Sequence, residues 1–322
     1  MSTTPPIAPR PLGRTGLAVT PICVGTSPLA SMPRLYGYEV DDDRAVATVE
    51  AAFAGPFDFV DTSNGYGDHG EAEVRIGIAI RRAGGLPAGV VLATKVDPAP
   101  GSSDFSGDRV RRSFEESLER LGVDRVPLLH LHDPERISFE EGVAPGGPLE
   151  ALVALREQGL VDRIGVAGGP VPLLQRYLDT GAFDVVLSHN RYTLLDRSAE
   201  GLFAAAAAAG IGVINAAPYG GGMLVKGPDV QTKYAYGERD EGIAAAARAM
   251  AAACARYDVP LPAAALQFSL RSPHVHSTVV GMSSPERVAA TAGLAAVPVP
   301  DDLWAELEAL VPAADGWLDP PA

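Results

Sequence analysis

The chain has 322 residues, 47% of them hydrophobic, enough to bury a large core in one or two domains. Its net charge of −14, from 26 basic against 40 acidic side chains, argues against nucleic acid or an anionic membrane surface as a partner, because either would repel it. Cys23 and Cys254 form neither a disulfide framework nor a metal-ligand spacing, so no metal site is expected and a reducing cytoplasm is the expected compartment. The amino-terminal stretch MSTTPPIAPRPLGRTG is proline-rich without an apolar core, unlike a signal peptide. The alanine-rich stretch at 203–210 is far too short to span a bilayer.

In chain order, RPLGRTGLAVTP (10–21) reads as a short hairpin able to cover the floor of a barrel. TPICVG (20–25) reads as a strand, and 42–54 as a helix with acidic residues in its first turn. FDFVD (57–61), GVVLATKV (89–96) and VPLLHLH (126–132) are further strands, followed by helices at 71–83, 108–121 and 148–159. Gly122 ends the helix at 108–121, and Pro148 opens the next. DRIGVAG (162–168), FDVVLS (183–188) and IGVINAA (211–217) lead to helices at 170–181, 196–209 and 242–257. STVVG (277–281) and a helix at 284–295 complete the series, and DDLWAELEALV (301–311) adds a helical extension. The pattern is eight strand–helix units without a composition break. It predicts an α/β fold, a single (α/β)8 TIM barrel with an N-terminal β-hairpin and a C-terminal helical extension. One domain is expected over 1–322, with a barrel core at about 20–295.

Asp61, Tyr66, Lys95 and His132 each lie at, or just past, the end of a short apolar run. In neighbouring parallel strands they would gather at the carboxyl edge of the sheet, where such folds bind ligands. An acid, a phenol, an amine and an imidazole there form a proton-transfer device. Tyrosine is a poor base near neutrality at its ordinary pKa, and a nearby ammonium favours the phenolate. Tyr66 is therefore read as general acid/base, Lys95 and Asp61 as its electrostatic support, and His132 as the donor that orients the reacting oxygen. Each has a plainer reading: a packed loop tyrosine, an ion pair plugging a barrel, a core histidine. His130 shares a strand face with His132 by alternation, and His132 is preferred because it stands nearer the strand end. No G-x-G-x-x-G opens a helix, and the glycines of YGGGML (219–224) have the wrong spacing for one.

These motifs together, FVDTSNGYG, the strand-end lysine of VVLATKV, LLHLHDPE and REQGLVDRIGV, resemble the aldo-keto reductase superfamily, and the likeness runs from PLGRTGLAVTPICVGT to SSPERVAAT. RYTLLDR (191–197) and VINAAPYGGGML (213–224) resemble its aldose 1-dehydrogenase branch, that of L-fucose, D-threo-aldose and L-galactose dehydrogenases. The resemblance implies a barrel that binds NAD or NADP without a Rossmann domain and transfers a hydride to or from a small sugar or carbonyl substrate. It places Thr26 and Asp61 near the nicotinamide ribose, Ser188 and Asn190 after the sixth strand, and Gly281, Ser283, Ser284 and Arg287 at the cofactor phosphates. The family's Ser-Asn pair after the fifth strand is replaced by Ala167-Gly168, its glutamine by His189, and its stacking aromatic by Ala216 or Ala217. Asn190 or Asn215 could compensate, or be turn residues. Many NADP-dependent relatives carry a lysine where Gly281 stands, while Arg287 keeps a position able to pair with a 2′-phosphate.

Loops at 27–42, 97–107 and 226–241 are the expected substrate surface; Tyr36, Tyr38, Tyr234 and Tyr236, with Arg34 and Lys233, suit a polyol or serve as loop packing. The expected function is an NAD(P)-dependent aldose dehydrogenase, as monomer or homo-oligomer. The rival readings are a broad NADPH-dependent aldehyde and ketone reductase and a non-enzymatic cofactor-binding subunit.

Overall fold

Eight parallel strands close into a barrel in chain order: β1 (Ile22–Gly25), β2 (Phe59–Asp61), β3 (Val91–Val96), β4 (Val126–His132), β5 (Val161–Gly168), β6 (Val185–His189), β7 (Gly212–Ala216) and β8 (Ser277–Gly281), with β8 pairing back onto β1. The structure is a computed structural model and describes residues 7–235, 237–238 and 241–320; Tyr236 and residues 1–6 lie outside the described residues.

Strand alternation divides the apolar residues into two sets. Cys23, Phe59, Ala93, Leu128, Ala167, Val185, Leu187, Ile214 and Val279 fill the barrel interior. Val24, Val60, Leu92, Leu129, Val166, Val186, Val213 and Val280 face the surrounding helices. Both faces of every strand are therefore buried, which explains the continuous apolar runs in the sequence.

The longer helices are α1 (Asp42–Phe53), α2 (Glu71–Arg82), α3 (Gly107–Leu121), α4 (Pro148–Glu157), α5 (Val171–Asp179), α6 (Glu200–Ala208), α7 (Glu241–Arg256), α8 (Leu261–Leu270), α9 (Pro285–Ala296) and α10 (Asp301–Ala309). Their boundaries have local causes. The Asp41 carboxylate accepts from Arg44 N at 2.8 Å and the Ser106 hydroxyl from Arg109 N at 3.3 Å, which caps α1 and α3. Gly122, at φ 70°, ends α3 in the left-handed conformation that a residue with a Cβ resists. The sequence reading missed α8. LPAAALQFSL has only Gln267 and Ser269 as polar side chains, both hydrogen-bonded within the protein, because it packs between α7, α9 and β8, so it shows no clear 3.6-residue period.

The hairpin forms as expected, Arg10–Pro11 pairing with Ala18–Val19, and Leu12 and Val19 plug the amino end of the barrel. Its turn needs Gly13, at φ 56°: a Cβ there would stand 2.5 Å from Gly212 N and 2.6 Å from Gly210 O. With the floor sealed, the open end is the carboxyl end. No helix among the described residues is long and apolar enough to cross a membrane.

Candidate active site

Asp61 ends β2, and Lys95 stands one residue before the end of β3; alternation with Phe59 and Ala93 turns both side chains into the barrel. The Lys95 ammonium donates to Asp61 Oδ1 at 2.6 Å, to the Thr62 carbonyl at 2.7 Å and to Tyr66 Oη at 3.0 Å. Three donors meet three acceptors, so the charge is fully hydrogen-bonded although the side chains of the pair are only 2% and 3% exposed.

Tyr66 is carried by a loop that stays fastened to β3 after β2 has ended. Thr62 N donates to Ala93 O at 2.9 Å and Asn64 N to Lys95 O at 3.1 Å. The Asn64 amide reaches Ser113 O at 3.0 Å, and Arg109 Nη2 reaches Asn64 Oδ1 at 3.2 Å, which ties the loop to α3. His132, the last residue of β4, meets the Tyr66 ring edge-on, with centroids 5.6 Å apart and planes at 81°. The four residues the sequence singled out thus surround one point at the carboxyl mouth.

His130 lies on the same face, deeper in the barrel and fully buried, with neither ring nitrogen partnered among the described residues. Burial, then the charges of Lys95 and His132, push its pKa well below the ordinary value, so it stays neutral. His132 behaves differently. Burial works against its charge, but the carboxylates of Asp133 and Asp97 outweigh that and hold its pKa above the ordinary value.

Asp97 escaped the sequence reading. It follows β3, is 1% exposed, and accepts from His132 Nδ1 at 2.8 Å. The available signal was parity: Asp97 is two residues past Lys95 and continues the inward face of β3. The sequence reading took it only as the first residue of the 97–107 loop of the expected substrate surface. At the ends of β4 and β6, Asp133 and His189 add polar groups to the mouth, His189 Nε2 standing 3.9 Å from Asp133 Oδ1. Burial chiefly pushes the His189 imidazole down to about 4.

The residues expected around a cofactor are placed as follows. The Thr26 hydroxyl donates to the Asp61 carbonyl at 2.9 Å, bracing the base of the Asp61 loop. Ser188 alternates away from Leu187 into the barrel wall, where its hydroxyl is directed to Gly169 O at 3.3 Å. Asn190 is fully buried at φ 62°, and its Oδ1 has no partner among the described residues. Its carbonyl accepts from the buried Tyr234 hydroxyl at 3.0 Å, so Tyr234 braces this turn. Asn215 faces outward and donates to Tyr192 O at 2.9 Å and to Ser269 Oγ at 2.8 Å, which occupies it in the wall. Ser283 and Ser284 precede α9, Ser284 at its N-cap position and 5% exposed, and Arg287 lies exposed on its first turn. A Cβ on Gly281 would stand 3.1 Å from Pro28 Cγ, so a larger residue there must move the Pro28 ring.

A closed parallel barrel whose carboxyl mouth holds a buried Asp–Lys pair against a tyrosine hydroxyl has the architecture of a barrel enzyme. Comparison with known proteins agrees with that class. Residues 21–312 match the aldo/keto reductase family. The chain is 33% identical to D-threo-aldose 1-dehydrogenase of Pseudomonas sp, covering 95% of this chain and 97% of that protein. It is 35% identical to L-galactose dehydrogenase of Arabidopsis thaliana, covering 94% and 93%. It is also 30% identical to pyridoxal 4-dehydrogenase of Microbacterium luteolum, covering 92% and 96%. In fold it is similar to an aldo-keto reductase from Bacillus halodurans solved in its holo form, at a TM-score of 0.78 and 22% identity over 96% of this chain and 97% of that one. The protein belongs to the aldo/keto reductase family and is an oxidoreductase acting on CH–OH and carbonyl groups.

Proposed function

We propose that the protein is an NAD(P)-dependent dehydrogenase of small aldoses, oxidising the anomeric carbon. The observation that carries this reading is Lys95 Nζ at 3.0 Å from Tyr66 Oη while it is paired with Asp61 at 2.6 Å. An ammonium that donates to a phenol oxygen stabilises the phenolate, the form able to take a proton from a hydroxyl. Tyr66 is then the base that removes the anomeric hydroxyl proton. His132 directs a ring N–H at the same oxygen and orients the sugar. Bound NAD or NADP supplies the hydride acceptor.

The residues present fit a nicotinamide cofactor in part. Asn190 Oδ1 and Asp61 Oδ2 are buried acceptors without partners among the described residues, suited to a carboxamide N–H and a ribose hydroxyl. Ala167 and Gly168, in place of the expected Ser-Asn pair, leave Asn190 as the holder of the carboxamide. The aldose choice rests on the similarity to D-threo-aldose 1-dehydrogenase and L-galactose dehydrogenase. It also rests on the mouth, where the part-exposed Asp133 and His189 offer hydrogen bonds to a hydroxylated substrate. The test is reduced-nicotinamide absorbance with a panel of aldoses and simple aldehydes, each with NAD and NADP. Aldose-dependent reduction of the cofactor is expected. Turnover of aldehydes alone would replace this reading with a broad carbonyl reductase.

Discrimination between the two cofactors should be modest. Arg287 offers a fork for a 2′-phosphate, but the adjacent Glu286 remains ionised, its pKa held down mainly by the Ser284 hydroxyl. Arg287→Ala should raise the KM for NADP and leave that for NAD nearly unchanged. Equal effects on both would assign Arg287 to a shared phosphate or to the fold.

A further inference from the structure

His132 is flanked by carboxylates on both ring nitrogens. Nδ1 lies 2.8 Å from Asp97 Oδ1 and 3.0 Å from Ser63 Oγ; Nε2 lies 3.6 Å from Asp133 Oδ1. The Ser63 hydroxyl has one proton, and it goes to Asp97 Oδ2 in a short bond. Gly65 N donates to the same Oδ2 at 2.8 Å, and Arg136 Nη1 stands 3.4 Å from Oδ1. Every neighbour of Asp97 is thus a donor, and the carboxyl is ionised; burial opposes this, but His132, Ser63 and Arg136 hold its pKa at about 2. Because the Ser63 proton is committed to Asp97, both groups facing Nδ1 are acceptors, so Nδ1 carries a proton. Nε2 lies beside the Asp133 carboxylate at a separation too long for a hydrogen bond, so its N–H stays available to a substrate. Ser63 is no nucleophile here: serine and acid meet the same ring nitrogen, so no base is left to activate it.

We propose that Asp97 is a positioning residue of the reaction, fixing the His132 ring through Nδ1 and, together with Asp133, keeping it as an imidazolium whose Nε2–H points at the reacting oxygen. The charged or titratable groups around that ring are Lys95 from β3 and Asp97 just after it, Asp133 and Arg136 after β4, Tyr66, His130 and His189. Only the two carboxylates approach its nitrogens directly. A cationic ring beside Tyr66 also places a second positive charge, after Lys95, next to the phenol that must shed its proton.

The test follows the His132 ring by NMR of the histidine-labelled protein and, in parallel, single-turnover hydride transfer across pH. Asp97→Asn keeps the shape and the acceptor atom but removes the charge. It should move the His132 titration down by about one unit or more, and the matching limb of the rate profile should move with it. Arg136→Gln alters a side chain that is 44% exposed and removes a cation facing both carboxylates, so it should move the titration up. An Asp97 that serves only the fold would lower thermal stability and leave the titration in place. An unmoved titration in Asp97→Asn overturns the proposal, as does an unmoved or downward titration in Arg136→Gln. The Arg136 variant carries the test alone should Asp97→Asn not fold. The rate measurement rests on the dehydrogenase reading above, whereas the titration needs no substrate, so the two can fail separately.

Discussion

Tyr66→Phe should lower turnover by about two to four powers of ten, the usual contribution of a positioned acid or base. That corresponds to roughly 3–5 kcal/mol of barrier at about 1.4 kcal/mol per power of ten. The substitution removes one oxygen and keeps the ring, so the edge-on packing against His132 at 5.6 Å should persist. The loop is held by Asn64 rather than by the phenol hydroxyl, so the fold should persist as well. Cofactor affinity, read by fluorescence quenching, should match the wild type, and single-turnover hydride transfer should show the loss. Near-wild-type rates in a folded Tyr66→Phe variant would move the proton to another residue. Tyr36 and His130 are the next candidates. Tyr36 already shares a hydrogen bond with Ser27 at 2.7 Å, and His130 lies deeper than the reacting point.

Lys95→Met should damage both rate and stability. The rate loss should resemble that of Tyr66→Phe, because the phenolate loses its ammonium. Stability should fall by about 3–5 kcal/mol, the cost of leaving one member of a buried ion pair alone. Asp61 would then be a nearly unexposed carboxylate whose Oδ2 already lacks a partner. Adding Asp61→Asn to the lysine variant should restore much of the stability and none of the rate. Denaturant midpoints of the two single variants, the double variant and the wild type give the coupling directly. A double variant less stable than Lys95→Met would show that the pair holds the barrel together by packing rather than by charge.

The barrel and most of the polar cluster at its carboxyl mouth were legible in the sequence, for one physical reason. Parallel strands buried on both faces must be continuous apolar runs, so β1 to β8 announced themselves, and their carboxyl ends marked Asp61, Lys95 and His132. Tyr66 lies past β2 in a glycine-flanked loop, where pattern alone reads a packed aromatic, and the family resemblance singled it out. Helix α8 stayed hidden because a segment surrounded by other elements has no polar face, and periodicity exists only where one side meets water.

What the sequence by itself determined was the alternation of elements, the hairpin floor and the strand-end placement of Asp61, Lys95 and His132. The tertiary structure alone decided what surrounds those residues. Whether Ser188 faces cofactor or wall depends on the register that puts Leu187 inside. Tyr234 braces Asn190 across a long stretch of chain, and Arg109 and Asn64 join a helix to the Tyr66 loop. Asp97 is an ordinary loop acid in one dimension. It becomes the partner of His132 only when β3 and β4 lie side by side, with Lys95 opposite His130. Local pattern reports which face of an element is buried; it carries no record of which distant polar group shares that burial, and an ionised side chain can remain buried only where such a partner stands.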